Sequence, residues 1–128
     1  MKVLLDTCTF LWITLGSPEL SATAKEVFAN PDNDVYFSAT SAWEIGVKYS
    51  LGRLRLPEEP ARFIPKQREA HGIEPLALTE EAALHVVRLP TLDRDPFDRM
   101  LVAQALVEGL VILTPDTAIA QYPARVIW

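Results

Sequence analysis

Cysteine occurs once, at Cys8, and histidine only twice, at His71 and His85, in a chain of 128 residues. A single thiol excludes an internal disulfide and any multi-cysteine zinc site, and it agrees with a reducing compartment. The two histidines have no partners at ligand spacing, so any metal chemistry must use oxygen donors. Glycine and proline together number 15, too few for a collagen-like or disordered chain. No apolar run approaches the roughly 18 to 20 residues of a spanning helix. The longest, such as Ala82 to Val87 and Leu110 to Leu113, are short or broken by polar groups. The first strand-like run meets Asp6 after three apolar residues, so no signal-peptide core is expected and a cytoplasmic location is. Positive charge is also scarce: 12 Lys and Arg against 17 Asp and Glu leave −5. That balance argues against a whole surface made for nucleic acid, and leaves room for a local basic track.

What is present is ordinary for a globular chain, with 49% apolar and 23% charged residues. The length suits one domain, residues 1–128, around one core. Val3-Leu4-Leu5, Val35-Tyr36-Phe37 and Leu110 to Leu113 read as buried strands, with Ile73 to Leu78 and Arg125 to Trp128 as weaker ones. Between them lie helical segments. In Phe97 to Glu108 the apolar positions form one stripe, and Gly109 follows as a helix-ending residue. Trp43, Val47 and Leu51 mark a helix ending at Gly52, while Ser21 to Ala29, Ala61 to Ala70 and Glu80 to Val87 supply three more. Thr7 to Leu15 is apolar on nearly all sides and is expected to be a buried helix. Strands alternating with helices predict an α/β fold with a parallel sheet covered on both faces.

Reactive groups in such a fold gather beyond the carboxyl ends of the strands. Asp6 follows the first strand directly, and Asp116 follows Leu110 to Leu113 by three residues. Glu44 and Asp98 fall in the first turns of helices. Each has a structural explanation. Ser41-x-x-Glu44 has the form of a capping box, and Glu44 stands four residues before Lys48. Asp95-Pro96-Phe97-Asp98 and Thr114-Pro115-Asp116 both read as cap, proline and acid, and Asp6 can cap the helix at Thr7. Four acids converging on one sheet edge, however, repel one another unless something positive holds them. A hard divalent cation, Mg²⁺ or Mn²⁺, takes carboxylate and water ligands and suits phosphodiester hydrolysis.

The blocks Val3-Leu4-Leu5-Asp6-Thr7-Cys8, Ser38 to Ile45, Arg94 to Ala105 and Leu113-Thr114-Pro115-Asp116 resemble, in order, the signature blocks of PIN-domain ribonucleases. More narrowly they resemble the VapC-like toxins of toxin–antitoxin pairs, over nearly the whole chain. The resemblance implies a three-layer fold with a five-stranded parallel sheet flanked by helices, and a Mg²⁺ or Mn²⁺ site. Carried over by position, Asp6, Glu44, Asp98 and Asp116 match the acidic quartet. Asp6 and Asp98 would bind metal directly, Glu44 would bind metal or position water, and Asp116 would act directly or through a water. Thr114 would support them by hydrogen bonding, and Asp95 is either an auxiliary acid or simply the helix cap. Relatives often carry His just before the Arg-Asp-Pro-Phe-Asp block, where this chain has Asp93.

The charge distribution offers a place for RNA. Between residues 48 and 68, Lys48, Arg53, Arg55, Arg62, Lys66 and Arg68 against Glu58 and Glu59 give +4, leaving −9 elsewhere. This is either a track for an RNA backbone or a solvated face of two helices. Arg99 can meet a phosphate or pair with Asp95. Trp12, Trp43, Tyr49 and Phe63 can stack on bases, although Trp12 and Trp43 at helical spacing are expected in the core. Cys8 reads as a small packing residue, with nothing beside it to make it a nucleophile. The resemblance further implies an RNA substrate, a homodimer and a VapB-like antitoxin partner. The leading reading is a metal-dependent endoribonuclease; the alternative is a noncatalytic PIN-like module that binds RNA or a partner. A receiver-like phosphoacceptor would need a lysine beside residues 110–114, and there is none.

Overall fold

The computed structural model describes residues 1–128. Five strands, β1 (Lys2–Leu5), β2 (Asp34–Ser38), β3 (Glu74–Leu76), β4 (Val111–Leu113) and β5 (Val126–Ile127), form one sheet. Their order is β3-β2-β1-β4-β5, and every neighbouring pair is parallel. The helices are α1 (Thr7–Leu15), α2 (Ala22–Ala29), α3 (Ala39–Ser50), α4 (Pro60–Ala70), α5 (Glu80–His85), α6 (Pro96–Glu108) and α7 (Thr117–Ala120). A 3₁₀ turn, Val86–Arg88, continues α5. No helix is long and apolar enough to cross a membrane.

The two-residue period of a strand explains the three layers. In β1, Val3 and Leu5 point into one core with Phe10, Ala24, Val35, Phe37, Ile45, Phe63 and Leu113, contributed by α1 to α4 and the sheet. Leu4 points the other way and packs with Leu101, Val102, Ala105, Ile112 and Ile119 beneath α6 and α7. Val3, Leu4 and Leu5 are fully buried, as a central parallel strand requires. The Phe10 and Phe37 rings stack with centroids 3.9 Å apart, fixing α1 on the sheet.

The chain lays down β1, β2 and β3 in one direction and then returns to place β4 on the opposite side of β1. That reversal opens a crevice between the ends of β1 and β4, where the following loops diverge. Leu5 is in register with Leu113, so Asp6 and Thr114 leave the sheet side by side.

Three expectations about the helices change. α1 has the expected bounds, but only Thr9 and Phe10 are buried, and Leu15 is exposed. A nine-residue helix lying over one sheet face covers only one of its own sides. In α3 the buried stripe is Thr40, Ser41, Glu44 and Ile45, leaving Trp43 64% and Leu51 60% exposed. The apolar i, i+4 series is therefore not the buried one. α5 ends at His85 because the Val86 carbonyl accepts from Leu89 N–H and from the Arg99 guanidinium, which tightens the chain into a 3₁₀ turn.

Candidate active site

Asp6 is the N-cap of α1: its backbone is extended, with φ −79° and ψ 174°, and its carboxylate accepts the Thr9 N–H at 2.9 Å. The Thr114 hydroxyl donates to the other Asp6 oxygen and accepts the Asp116 N–H at 3.0 Å. Thr114 thus buttresses Asp6 and is not the helix cap that its sequence suggests. The cap of α7 is Asp116, which accepts from Ala118 N–H at 2.9 Å. Both exits from the β1/β4 crevice therefore present a carboxylate.

The other two acids come from α3 and α6. The expected capping box is corrected: α3 begins three residues earlier, capped by Ser38, whose hydroxyl accepts the Thr40 N–H. Ser38 also donates to Gln104 Oε1 at 2.5 Å, pinning the start of α3 to the middle of α6. Glu44 consequently lies in the second turn, 6% exposed, held by the Thr7 hydroxyl at 2.5 Å and by Lys48 Nζ at 2.5 Å. At α6, Asp95 caps through the Phe97 and Asp98 N–H groups, and Pro96 occupies the first turn. Asp98 follows at N3, where the helix dipole favours an acid.

These elements enclose a cleft of about 380 Å³ lined by Asp6, Glu44, Asp95, Asp98 and Asp116, with Lys48 and Arg53 on its wall. Four acids far apart in the chain thus share one cavity. No group of three His, Cys, Asp or Glu side chains is gathered as a ready metal-holding set. The elements converge, while the carboxylates are turned to local donors.

Negative charge is nonetheless undercompensated. Burial pushes the Asp98 carboxyl up to about 8, reinforced by a hydrogen bond to Asp93 and by the charges of Asp95, Asp116 and Asp93. Asp93 is held low, first by the Asp95 backbone N–H and further by its bond to Asp98 and the charge of Arg99. Asp93 and Asp98 thus shift in opposite directions, the buried Asp98 carboxyl up and Asp93 down. Lys48 is raised by its bond to Glu44 and by the charges of Glu44, Asp95 and Asp98, against the effect of burial. An all-oxygen donor set with excess negative charge fits a hard divalent cation in kind. Cys8 is no nucleophile, because burial and the adjacent Asp6 push its thiol up to about 12.

Other sequence candidates lie elsewhere. Arg99 neither pairs with Asp95 nor faces the cleft; its guanidinium binds the Pro90 and Val86 carbonyls and the Tyr122 hydroxyl. Within the basic segment Arg62 pairs with Glu59, Lys66 with Glu58, and Arg68 donates to the Ile73 carbonyl. Of the track, Lys48 and Arg53 line the cleft, and Arg55 is exposed and does not line it. Trp12 packs half-buried on Trp128, and Trp43, expected in the core, stands exposed. Phe63 is core, and His71 bonds the Gln67 carbonyl. Thr7 on Glu44 and Gln104 on Ser38 were not legible beforehand. The only sequence signal for either is a polar residue next to a strand end or on an apolar helix.

The sequence matches the family model described as PIN domain over residues 3–125. It is 33% identical over 72 residues to "Ribonuclease VapC16" of Mycobacterium tuberculosis, a stretch covering 53% of this chain and 51% of that protein. The match spans about half the length of that curated relative. Among solved structures, the fold resembles VapBC2 from Rickettsia felis bound to a promoter DNA fragment, with TM-score 0.75, 15% identity and 99% and 98% coverage of the two chains. It also resembles DNA-bound VapBC from Salmonella typhimurium, with TM-score 0.68, 21% identity and coverage of 99% and 97%.

Proposed function

Since the chain belongs to the PIN domain family, we propose that it is a Mg²⁺- or Mn²⁺-dependent endoribonuclease and the toxin of a toxin–antitoxin pair. The observation that carries this reading is the single cleft lined by Asp6, Glu44, Asp98 and Asp116 from four separate chain segments. Support for the activity comes from the ribonuclease relative, and support for a VapB-like partner from the VapBC assemblies that share the fold.

Asp6, Glu44 and Asp98 are the residues to hold the cation, with Asp116, which lines the same cleft, acting directly or through water. A bound hard cation supplies Lewis acidity, making water a better nucleophile near neutral pH and stabilising charge on the phosphate. The chain supplies position. Thr114 and the Thr9 N–H fix Asp6, while Thr7 and Lys48 fix Glu44. Arg53 and Lys48 attract the RNA backbone to an otherwise acidic cleft. In the reaction a water oxygen bonds to phosphorus, the bond to the 3′ oxygen breaks, and a proton passes to that oxygen. The products carry 5′ phosphate and 3′ hydroxyl ends.

Cleavage of total RNA with Mn²⁺, with and without EDTA, tests the reading. Asp6→Asn and Asp98→Asn are expected to lower cleavage at least a hundredfold while circular dichroism stays unchanged. If both variants cleave like the parent, the assignment is wrong. RNA binding that survives EDTA without any turnover would point instead to a noncatalytic module.

A further inference from the structure

Of the acids that line the cleft, Glu44 alone is paired with a cationic side chain. Asp6 accepts from the Thr9 N–H, the Thr114 hydroxyl and the Cys8 thiol, Asp95 from the Phe97 and Asp98 N–H groups, and Asp116 from the Ala118 N–H. Those donors are neutral. A carboxylate has several lone pairs, so a neutral donor on one of them leaves others for a cation. On Glu44 the Thr7 hydroxyl takes Oε1 and the Lys48 ammonium takes Oε2, each at 2.5 Å. The remaining ion pairs, Arg62 with Glu59 and Lys66 with Glu58, lie outside the cleft.

The two members of the Glu44 pair differ in freedom. The Glu44 side chain is 8% exposed and is also held by Thr7, whereas that of Lys48 is 49% exposed, with no acceptor in the protein except Glu44. Lys48 stands in the last turn of α3 on a flexible four-carbon stem, so its ammonium can leave for solvent at small cost. A divalent cation on the same carboxylate would sit within a few ångströms of Nζ, where like charges in a partly buried cleft repel strongly. Cation and ammonium therefore exclude one another.

We infer that Lys48 is a displaceable counter-ion of Glu44, competing with the divalent cation for Oε2 and driven off the carboxylate when the cation binds. The inference rests on the metal-site reading above. It accords with the convergence of acidic segments whose carboxylates are not gathered three together, because one of them is already neutralised by a charge of the chain's own. Lys48 is then a positioning residue that acts through Glu44. It steadies the crowded acids of the fold and raises the cation concentration at which the site fills.

The test uses the full chain. In a ¹⁵N-labelled sample the ammonium signal of Lys48, assigned through Lys48→Met, is expected to shift or vanish on Mg²⁺ titration while those of Lys25 and Lys66 stay in place. By calorimetry Lys48→Met is expected to bind Mn²⁺ about tenfold more tightly than the parent, because release of the carboxylate is no longer opposed. Arg53→Met removes the same charge from the same wall without freeing an acid, and is expected to tighten binding no more than about twofold. Lys48→Arg keeps a cation on Glu44 and is expected to stay near the parent. In EDTA Lys48→Met should melt below the parent, and Mn²⁺ should raise its midpoint by more. Equal tightening in Lys48→Met and Arg53→Met makes Lys48 part of the general field and overturns the inference. So does unchanged or weaker Mn²⁺ binding in Lys48→Met, or a Lys48 signal that stays put while Mg²⁺ binds; in each case the metal reading stands. Failure of the parent and Lys48→Met alike to bind Mn²⁺ overturns both.

Discussion

Asp98 holds its proton because desolvation, Asp93 and the neighbouring acids all disfavour its charge. A carboxyl raised from 3.8 to about 8 in the folded state stabilises the fold while protonated. That contribution is complete below about 3.8 and is lost as pH rises through about 8. Without divalent cations, the thermal midpoint of the parent chain is therefore expected to fall between about pH 5 and 8.5 more steeply than that of Asp98→Asn. The asparagine amide can still donate to Asp93 and cannot ionise; parallel curves would contradict the account. Binding of Mn²⁺ near neutral pH should for the same reason release protons, read by calorimetry in buffers of different ionisation enthalpy. Arg99 sits next door with a different task, joining the Val86 and Pro90 carbonyls to Tyr122. Arg99→Ala is expected to cost about 2 kcal/mol in urea unfolding, and lysine not to rescue it, because no ammonium spans the three acceptors.

At the scale of elements, helix ends do most of the placing. Asp6, Ser38, Asp95 and Asp116 each cap a helix with the side chain, and three of these four caps also line the cleft. A carboxylate that caps is fixed in rotamer before any ligand arrives, which makes the site partly preorganised. The C-terminal end of α6 is set by Gly109, with φ 69°, whose successor Leu110 bonds the Ala105 carbonyl and leads into β4. A Cβ at Gly109 would touch nothing, so the cost of Gly109→Ala is backbone strain alone. About 1 kcal/mol is expected, seen as a lower urea midpoint with an unchanged slope.

Over the whole molecule, charge is arranged against its own sum. The chain carries −5, yet three of the basic side chains in residues 48–68 are paired with acids, and Arg53 remains on the cleft wall without such a partner. RNA attraction is thus concentrated beside the acids. Arg53→Ala is expected to weaken single-stranded RNA binding evenly across sequences and to flatten the salt dependence of log Kd by about 0.7 to 1, measured by titration at several salt concentrations. A variant with an unchanged salt slope would remove Arg53 from the RNA path.

The chain's local signals were enough for the strand segments, for α6 from proline to glycine, and for Asp6 and Asp116 at strand exits. Those features depend on residues within a turn or two of one another, where period and capping chemistry are written directly in the sequence. Tertiary structure decided which face of α3 is buried, so that Glu44 turns in and Trp43 out. It also decided that α1 keeps an uncovered side, and which donors hold each acid. Thr114 reaches Asp6 across 108 residues and Thr7 reaches Glu44 across 37, pairings that no local spacing encodes. The reversal of strand order that sets β4 against β1 brings Thr114 to Asp6, and the pairing of β1 with β2 brings the starts of α1 and α3 together so that Thr7 meets Glu44.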